Sequence, residues 1–168
     1  ASGPHERHLA NMGACLRDRN FVFYLLGLAG VSLGTLLYLS FLPLFIKQGL
    51  GFPPATAVTM ETVVMIGGGL SAIMWGWAAD RVGSRPVLMA SVALTLLVPI
   101  GWLLLPRQAP HLLVWCGMLY LLHGIAFNGL AIASGRLLLN GVVSPEHSTA
   151  YMAVFYAWQG FVGGSAPL

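Results

Sequence analysis

The chain has 168 residues, of which 57% are hydrophobic and 8% charged, and its mean hydropathy is +0.80. An ordinary soluble domain is only about 45–50% apolar. So few charges cannot coat this much apolar surface, which makes a bilayer the expected solvent. The net charge of +3 rests on eight Lys and Arg, too thin a supply for a nucleic-acid partner. Cys15 and Cys116 have neither disulfide-framework nor metal-ligand spacing, and no metal or cofactor is expected.

Residues 1–20 are polar, contain no apolar signal-peptide core, and read as a cytoplasmic linker. The first apolar run, Phe21 to Ile46, exceeds the roughly 20 residues needed to span a bilayer. On it Tyr24, Thr35 and Tyr38 share a helical face, and Gly30 and Gly34 form a small-residue pair. The stretch from Lys47 to Pro54 is turn-forming. Thr56 to Ala79 is the second span. It carries the only acid expected inside the membrane, Glu61, about 27 Å from the span's far end at 1.5 Å per residue. That is near the outer boundary, where a carboxylate either meets water at the interface or, facing the cavity, is a candidate proton or ion coupling site. Gly68, Ala72 and Gly76 recur every four residues and predict a helix-packing face.

After the second span comes Gly76-Trp77-Ala78-Ala79-Asp80-Arg81-Val82-Gly83-Ser84-Arg85-Pro86. Arg81 and Arg85 suit a cytoplasmic anchor and Gly83 suits a turn needing positive φ, but neither explains Asp80. A carboxylate beside two arginines fits an ion-pair network or a neighbouring helix end. The third span runs from Val87 to Leu105 and closes at Pro106-Arg107-Gln108-Ala109-Pro110.

The fourth span covers residues 111–139. Its Cys116, Tyr120, His123, Phe127 and Ser134 fall in a stripe about 60° wide at 100° per residue. His123 lies about 18 Å along the helix, near mid-membrane, where it is a candidate for solute binding or proton transfer. Asn128 points elsewhere and reads as a helix–helix contact. Ser144-Pro145-Glu146 is a helix-start signal for the fifth span, 148–168, which presents Tyr151, Phe155 and Trp158 on one face with Gln159 beside them. Thr35, Tyr38, Tyr120, His123 and Gln159 are therefore the candidate solute-cavity residues.

Arg7, Arg17, Arg19, Arg81, Arg85 and Arg136 fall on one side of this topology, against Lys47 and Arg107 on the other. The positive-inside rule puts the N-terminal tail and the 80–86 loop in the cytoplasm of a multi-pass protein, with a plasma (inner) membrane expected. Five spans leave the chain ends on opposite faces, so a sixth helix is expected beyond residue 168.

The stretch from Gly76 to Arg85 resembles the signature loop of the major facilitator superfamily, Gly-x-Leu-Ala-Asp-Arg-x-Gly-Arg-Lys, which joins the second and third helices of a six-helix half. Ala78 and Ser84 depart from that pattern, and such departures are commoner in the family's second half. The resemblance implies an all-α polytopic bundle, residues 21–168 being most of a C-terminal six-helix half that works with the other half of the same transporter. It also implies that Gly76, Asp80, Arg81, Gly83 and Arg85 form a conformational latch.

The function expected from these features is secondary active transport of a small organic solute by alternating access, driven by an ion gradient. No Gly-Lys-Ser/Thr nucleotide loop is present to supply ATP energy. Surrounding lipid and the solute are the expected partners. A non-transporting receptor or scaffold on the same fold is the alternative. An intramembrane serine protease built on Ser134-Gly135 fits poorly, because Ile132 replaces the Gly of the Gly-x-Ser-Gly pattern and the following span lacks a His base. The chain is not expected to be an enzyme.

Overall fold

The computed structural model describes residue 13 and residues 15–108, 110–142 and 148–165. All regular structure among them is helical: α1 (Arg19–Leu44), α2 (Pro54–Val82), α3 (Ser84–Leu104), α4 (Leu112–Leu137) and α5 (Ser148–Gly164). π-helical turns extend α1 through Phe45–Gly49 and α4 through Leu138–Val142.

The helix ends follow from local chemistry. Asp18 caps α1, its Oδ1 accepting from the amides of Asn20 (3.0 Å) and Phe21 (3.3 Å). These are two of the donors that every helix start leaves without a partner. At the other end Pro43 lacks an amide hydrogen. The chain then widens, with Leu50 N–H donating to the Phe45 carbonyl at 3.1 Å and Gly51 turning at φ +73°. Pro54 opens α2 at a position where a missing amide hydrogen costs nothing.

The largest departure from the expected boundaries lies at the charged motif. α2 continues to Val82, so Asp80 and Arg81 occupy its last turn, and α3 starts at Ser84. The expected 80–86 loop is reduced to Gly83 at φ +97°, ψ 159°, a conformation open in practice to glycine alone. Its amide still donates to the Ala79 carbonyl at 3.2 Å, closing α2.

The helices group into two bodies. The larger, Phe41–Leu137, packs α2 and α3 against α4. From Val64 against Gly124, through Trp75 against Ile125 and Gly129, to Asp80 against Arg136, the contacts advance along both helices, so α2 and α4 run parallel. Leu121 presses on Gly67, Gly124 on Val64, and Trp75 Nε1 donates to the Ile125 carbonyl at 2.8 Å. Asn128 Nδ2 donates to the Gly68 carbonyl at 2.7 Å, the helix–helix contact expected of it. A Cβ on Gly67 would stand 2.6 Å from the Leu121 carbonyl oxygen, and one on Gly124 would collide with Val64. Trp75, Ala79, Val87 and Ala133 form the core between the three helices.

The buried line of α2 is Met60, Gly67, Ser71, Trp75 and Ala79, not the expected Gly68, Ala72 and Gly76. The line sits one residue, about 100°, around the helix, because the indole of Trp75 and its hydrogen bond are drawn inward. Gly30 and Gly34 meet nothing within 4 Å where a Cβ would stand.

The smaller body holds the described residues up to Ser40 and from Leu138 onward. There the first part of α1 runs parallel to α5: Phe21 meets Tyr151 edge-on at 4.7 Å, Tyr24 stacks on Phe155 at 6.2 Å, and Trp158 Nε1 donates to the Leu25 carbonyl at 3.3 Å. Asp18 adds a second role here, its Oδ2 accepting from the Tyr151 hydroxyl at 3.2 Å.

Among the described residues, four helical segments are long and apolar enough to cross a membrane: Arg19–Gly49, Pro54–Val82, Ser84–Leu104 and Leu112–Asn140. α5 has 17 residues. Large apolar side chains stand open on the outer faces, with Ile73 83% and Leu103 85% exposed. Such surfaces are stable against lipid tails and costly in water.

Candidate functional site

At the end of the larger body where α2 passes into α3, Asp80 pairs with Arg136 in the last turn of α4. The same guanidinium also approaches the Gly76 carbonyl at 3.5 Å. Gly76 lies one turn before Asp80, so one arginine side chain from α4 spans the final turn of α2. Both partners keep solvent contact, their side chains being 67% (Asp80) and 37% (Arg136) exposed. An ion pair this open adds little to stability and can be made and broken readily.

The remaining motif cations point away from this pair. Arg81 lies over the Trp77 ring at 4.7 Å from its centroid, an arrangement in which the ring face attracts the cation. Arg85 is exposed near the start of α3 and takes no part in the Asp80–Arg136 pair. Gly83 sets the abrupt turn that brings α3 back beside α2. The motif thus divides its work: Asp80 and Gly76 tie α2 to α4, Gly83 shapes the junction, and Arg81 rests on the outer face. Arg136 is the member that the linear motif does not contain. Its signal in the sequence is position alone, as the one basic residue near the end of the fourth span.

The stripe on α4 turns inward. Cys116, Tyr120, His123 and Ser134 are buried in the larger body, whereas Phe127 is half exposed and stacks against His123 at 5.9 Å. Ser134 donates to the Ala131 carbonyl of its own helix at 3.2 Å. Tyr120 meets Trp102 of α3 edge to face at 5.6 Å, and Trp102 in turn meets Phe45 at 6.1 Å. Trp102 is a polar–aromatic group that pattern reading passed over, since indoles near span ends usually sit at the interface. Glu61 stands on the exposed side of α2 beside buried Met60.

In the smaller body Thr35 is buried and returns its hydroxyl to the Val31 carbonyl at 2.8 Å. Tyr38 is half-buried with its hydroxyl enclosed, and Gln159 is half-buried on α5. The candidates therefore divide between the two bodies, with Thr35, Tyr38 and Gln159 in one and Glu61, Tyr120 and His123 in the other. His147 lies outside the described residues. Among the described residues no group of three His, Cys, Asp or Glu could hold a metal ion.

A family model described as Major Facilitator Superfamily matches residues 2–167. No curated protein and no solved structure matches the chain at a significant level.

Proposed function

Because the chain belongs to the Major Facilitator Superfamily over residues 2–167, we propose that it is most of the C-terminal half of a secondary active transporter that moves a small organic solute by alternating access. Membership makes the chain part of a membrane transporter, and that match is the observation carrying the reading. In this proposal the end bearing Asp80 faces the cytoplasm, in keeping with the excess of arginine there. The Asp80–Arg136 pair then latches the cytoplasmic ends of α2 and α4 in one state of the cycle. Such a latch needs modest energy, since shifting two states tenfold takes only about 1.4 kcal/mol. A half-exposed ion pair is of that order at most. Transporter halves rock as bundles around a midplane site, and the close Gly67 and Gly124 contacts would hold the middles of α2 and α4 together while their Asp80-bearing ends close or part.

The test is flux through the full-length protein reconstituted in vesicles, using a panel of organic solutes and an imposed ion gradient. Gradient-dependent uptake or efflux of one class is expected, and Asp80→Asn should alter turnover while leaving solute affinity within a few-fold. The absence of flux for every solute class, with the protein correctly folded, sinks the transport reading. Unchanged turnover in Asp80→Asn removes the latch.

A further inference from the structure

Two hydrogen-bond donors are shut inside the larger body without an acceptor. Trp102 Nε1 and the Tyr120 hydroxyl are buried, and neither finds a hydrogen-bond partner among the described residues. The side chains are 6% and 1% exposed, and their rings meet edge to face at 5.6 Å. Buried donors are nearly always satisfied in native proteins, so each exception asks what completes it.

The chemistry of the donors narrows the answer. An indole N–H can only donate, and the phenol beside it has a hydrogen of its own to place. Two such donors would repel a cation. Water would accept from both, but it would bring two further hydrogens into a space bordered by the rings of Phe45, Trp102 and Tyr120. A carboxylate would bring a charge that neither donor offsets. A carbonyl oxygen fits best, since it offers two lone pairs, no hydrogen and no net charge.

The place of the pair in the fold says where such an oxygen comes from. α3 has 21 residues, Ser84–Leu104. At 1.5 Å per residue that is about 31 Å, close to the thickness of a bilayer's hydrocarbon core. Trp102 belongs to the last turn of α3 and so stands at the edge of that core. Phe45, in the turn after α1, meets it there at 6.1 Å. The ester carbonyls of phospholipids lie at this same boundary, between acyl chains and headgroups. Large side chains next to the pair are open to lipid, Leu103 and Leu104 on α3 and Trp115 and Met118 on α4. An acyl chain laid along them carries its ester to the level of the two donors. Phe45 is only half buried and sits on a π-helical turn, which makes it the ring that moves aside to admit the oxygen.

We infer that Trp102 and Tyr120 form a lipid site between α3 and α4, in which one ester carbonyl of a membrane phospholipid accepts hydrogen bonds from both side chains. The site requires only that the chain spans a membrane, and it stands apart from the Asp80–Arg136 pair and from any solute.

The test compares two lipids that differ in the carbonyl alone. The full-length protein, 15N-labelled at its tryptophan indoles, is placed in nanodiscs of dimyristoyl phosphatidylcholine and of the matching diether lipid, with no solute added. The Trp102 indole proton, identified by its loss in Trp102→Phe, should resonate downfield in the diester lipid relative to the diether. If Trp102→Phe does not fold, magnetisation transfer from an indole proton to a 13C-labelled ester carbonyl identifies the same contact without a variant. Tyr120→Phe removes one of the two donors and should move the diester signal toward another position. The same Trp102 signal in both lipids overturns the site, whether both are shifted by a partner within the protein or neither is. An indole that receives no transfer from the labelled carbonyl, or a diester signal indifferent to Tyr120→Phe, overturns it equally.

Discussion

At the scale of single residues, glycine and arginine carry more of this structure than their number suggests. Gly67 and Gly124 are glycine because the opposing helix backbone occupies the place of a side chain. Overpacking of this kind costs about 1–3 kcal/mol. Gly67→Ala and Gly124→Ala should each lower the thermal stability of the full-length protein in detergent. Gly69→Ala, where a Cβ would meet nothing within 4 Å, should leave it nearly unchanged or raise it slightly. Equal stability in all three variants would contradict the α2–α4 contact. Gly83 is required for another reason: its φ of +97° lies where side-chain-bearing residues are strained, and this single residue joins α2 to α3.

At the scale of helices, boundaries are set by a handful of polar groups. Asp18 is the clearest case, capping α1 with one carboxylate oxygen and accepting from Tyr151 of α5 with the other. Losing an N-cap aspartate costs about 1 kcal/mol in typical helices. Asp18→Ala should therefore fray the first turn of α1 and free Tyr151. Hydrogen exchange by mass spectrometry should show faster exchange at residues 20–24 and 149–153. Asp18→Asn keeps a capping oxygen and should protect the first of these segments more than alanine does. If alanine and asparagine exchange alike at residues 20–24, the cap is not what starts the helix. The signal was present in the sequence, as an aspartate three positions before the apolar run that starts at Phe21, but a polar linker reading absorbed it. The burial stripe of α4 was also legible from its 100° periodicity. Which neighbour it faces was not, because periodicity gives the angle of a face and not the identity of the helix opposite.

For the whole molecule, the Asp80–Arg136 pair joins positions 56 apart in sequence across two helix ends. Because both side chains remain partly in water, removing one should change stability by no more than about 1 kcal/mol. The effect belongs instead on the balance between transport states. In the full-length protein, Asp80→Asn and Arg136→Gln should each widen the spin-label distance distribution between the ends of α2 and α4. The exchanged pair, Asp80→Arg with Arg136→Asp, should restore part of the narrow distribution. If the exchanged pair behaves no better than either single variant, the latch does not depend on this ion pair. The two tyrosine sites illustrate the same separation of scales: Tyr151 matters to a helix start, whereas Tyr120 meets Trp102 of α3, a contact that only helix packing creates.

What the amino-acid sequence determined by itself was the solvent, the helices and the family. Long apolar runs leave no alternative to a lipid environment, since backbone polar groups in lipid must be satisfied within helices. Gly76, Asp80, Arg81, Gly83 and Arg85 at their spacing carried the resemblance to the family, and of these the turn itself requires Gly83, at φ +97°. Only the tertiary structure decided that Asp80 pairs with Arg136, that Trp75 rotates the buried face of α2, and that Trp102 and Tyr120 meet as donors without an acceptor. These are contacts between residues 18 and more positions apart, some of them at helix ends. They depend on which ridges settle into which grooves, and no local pattern along one helix encodes that choice.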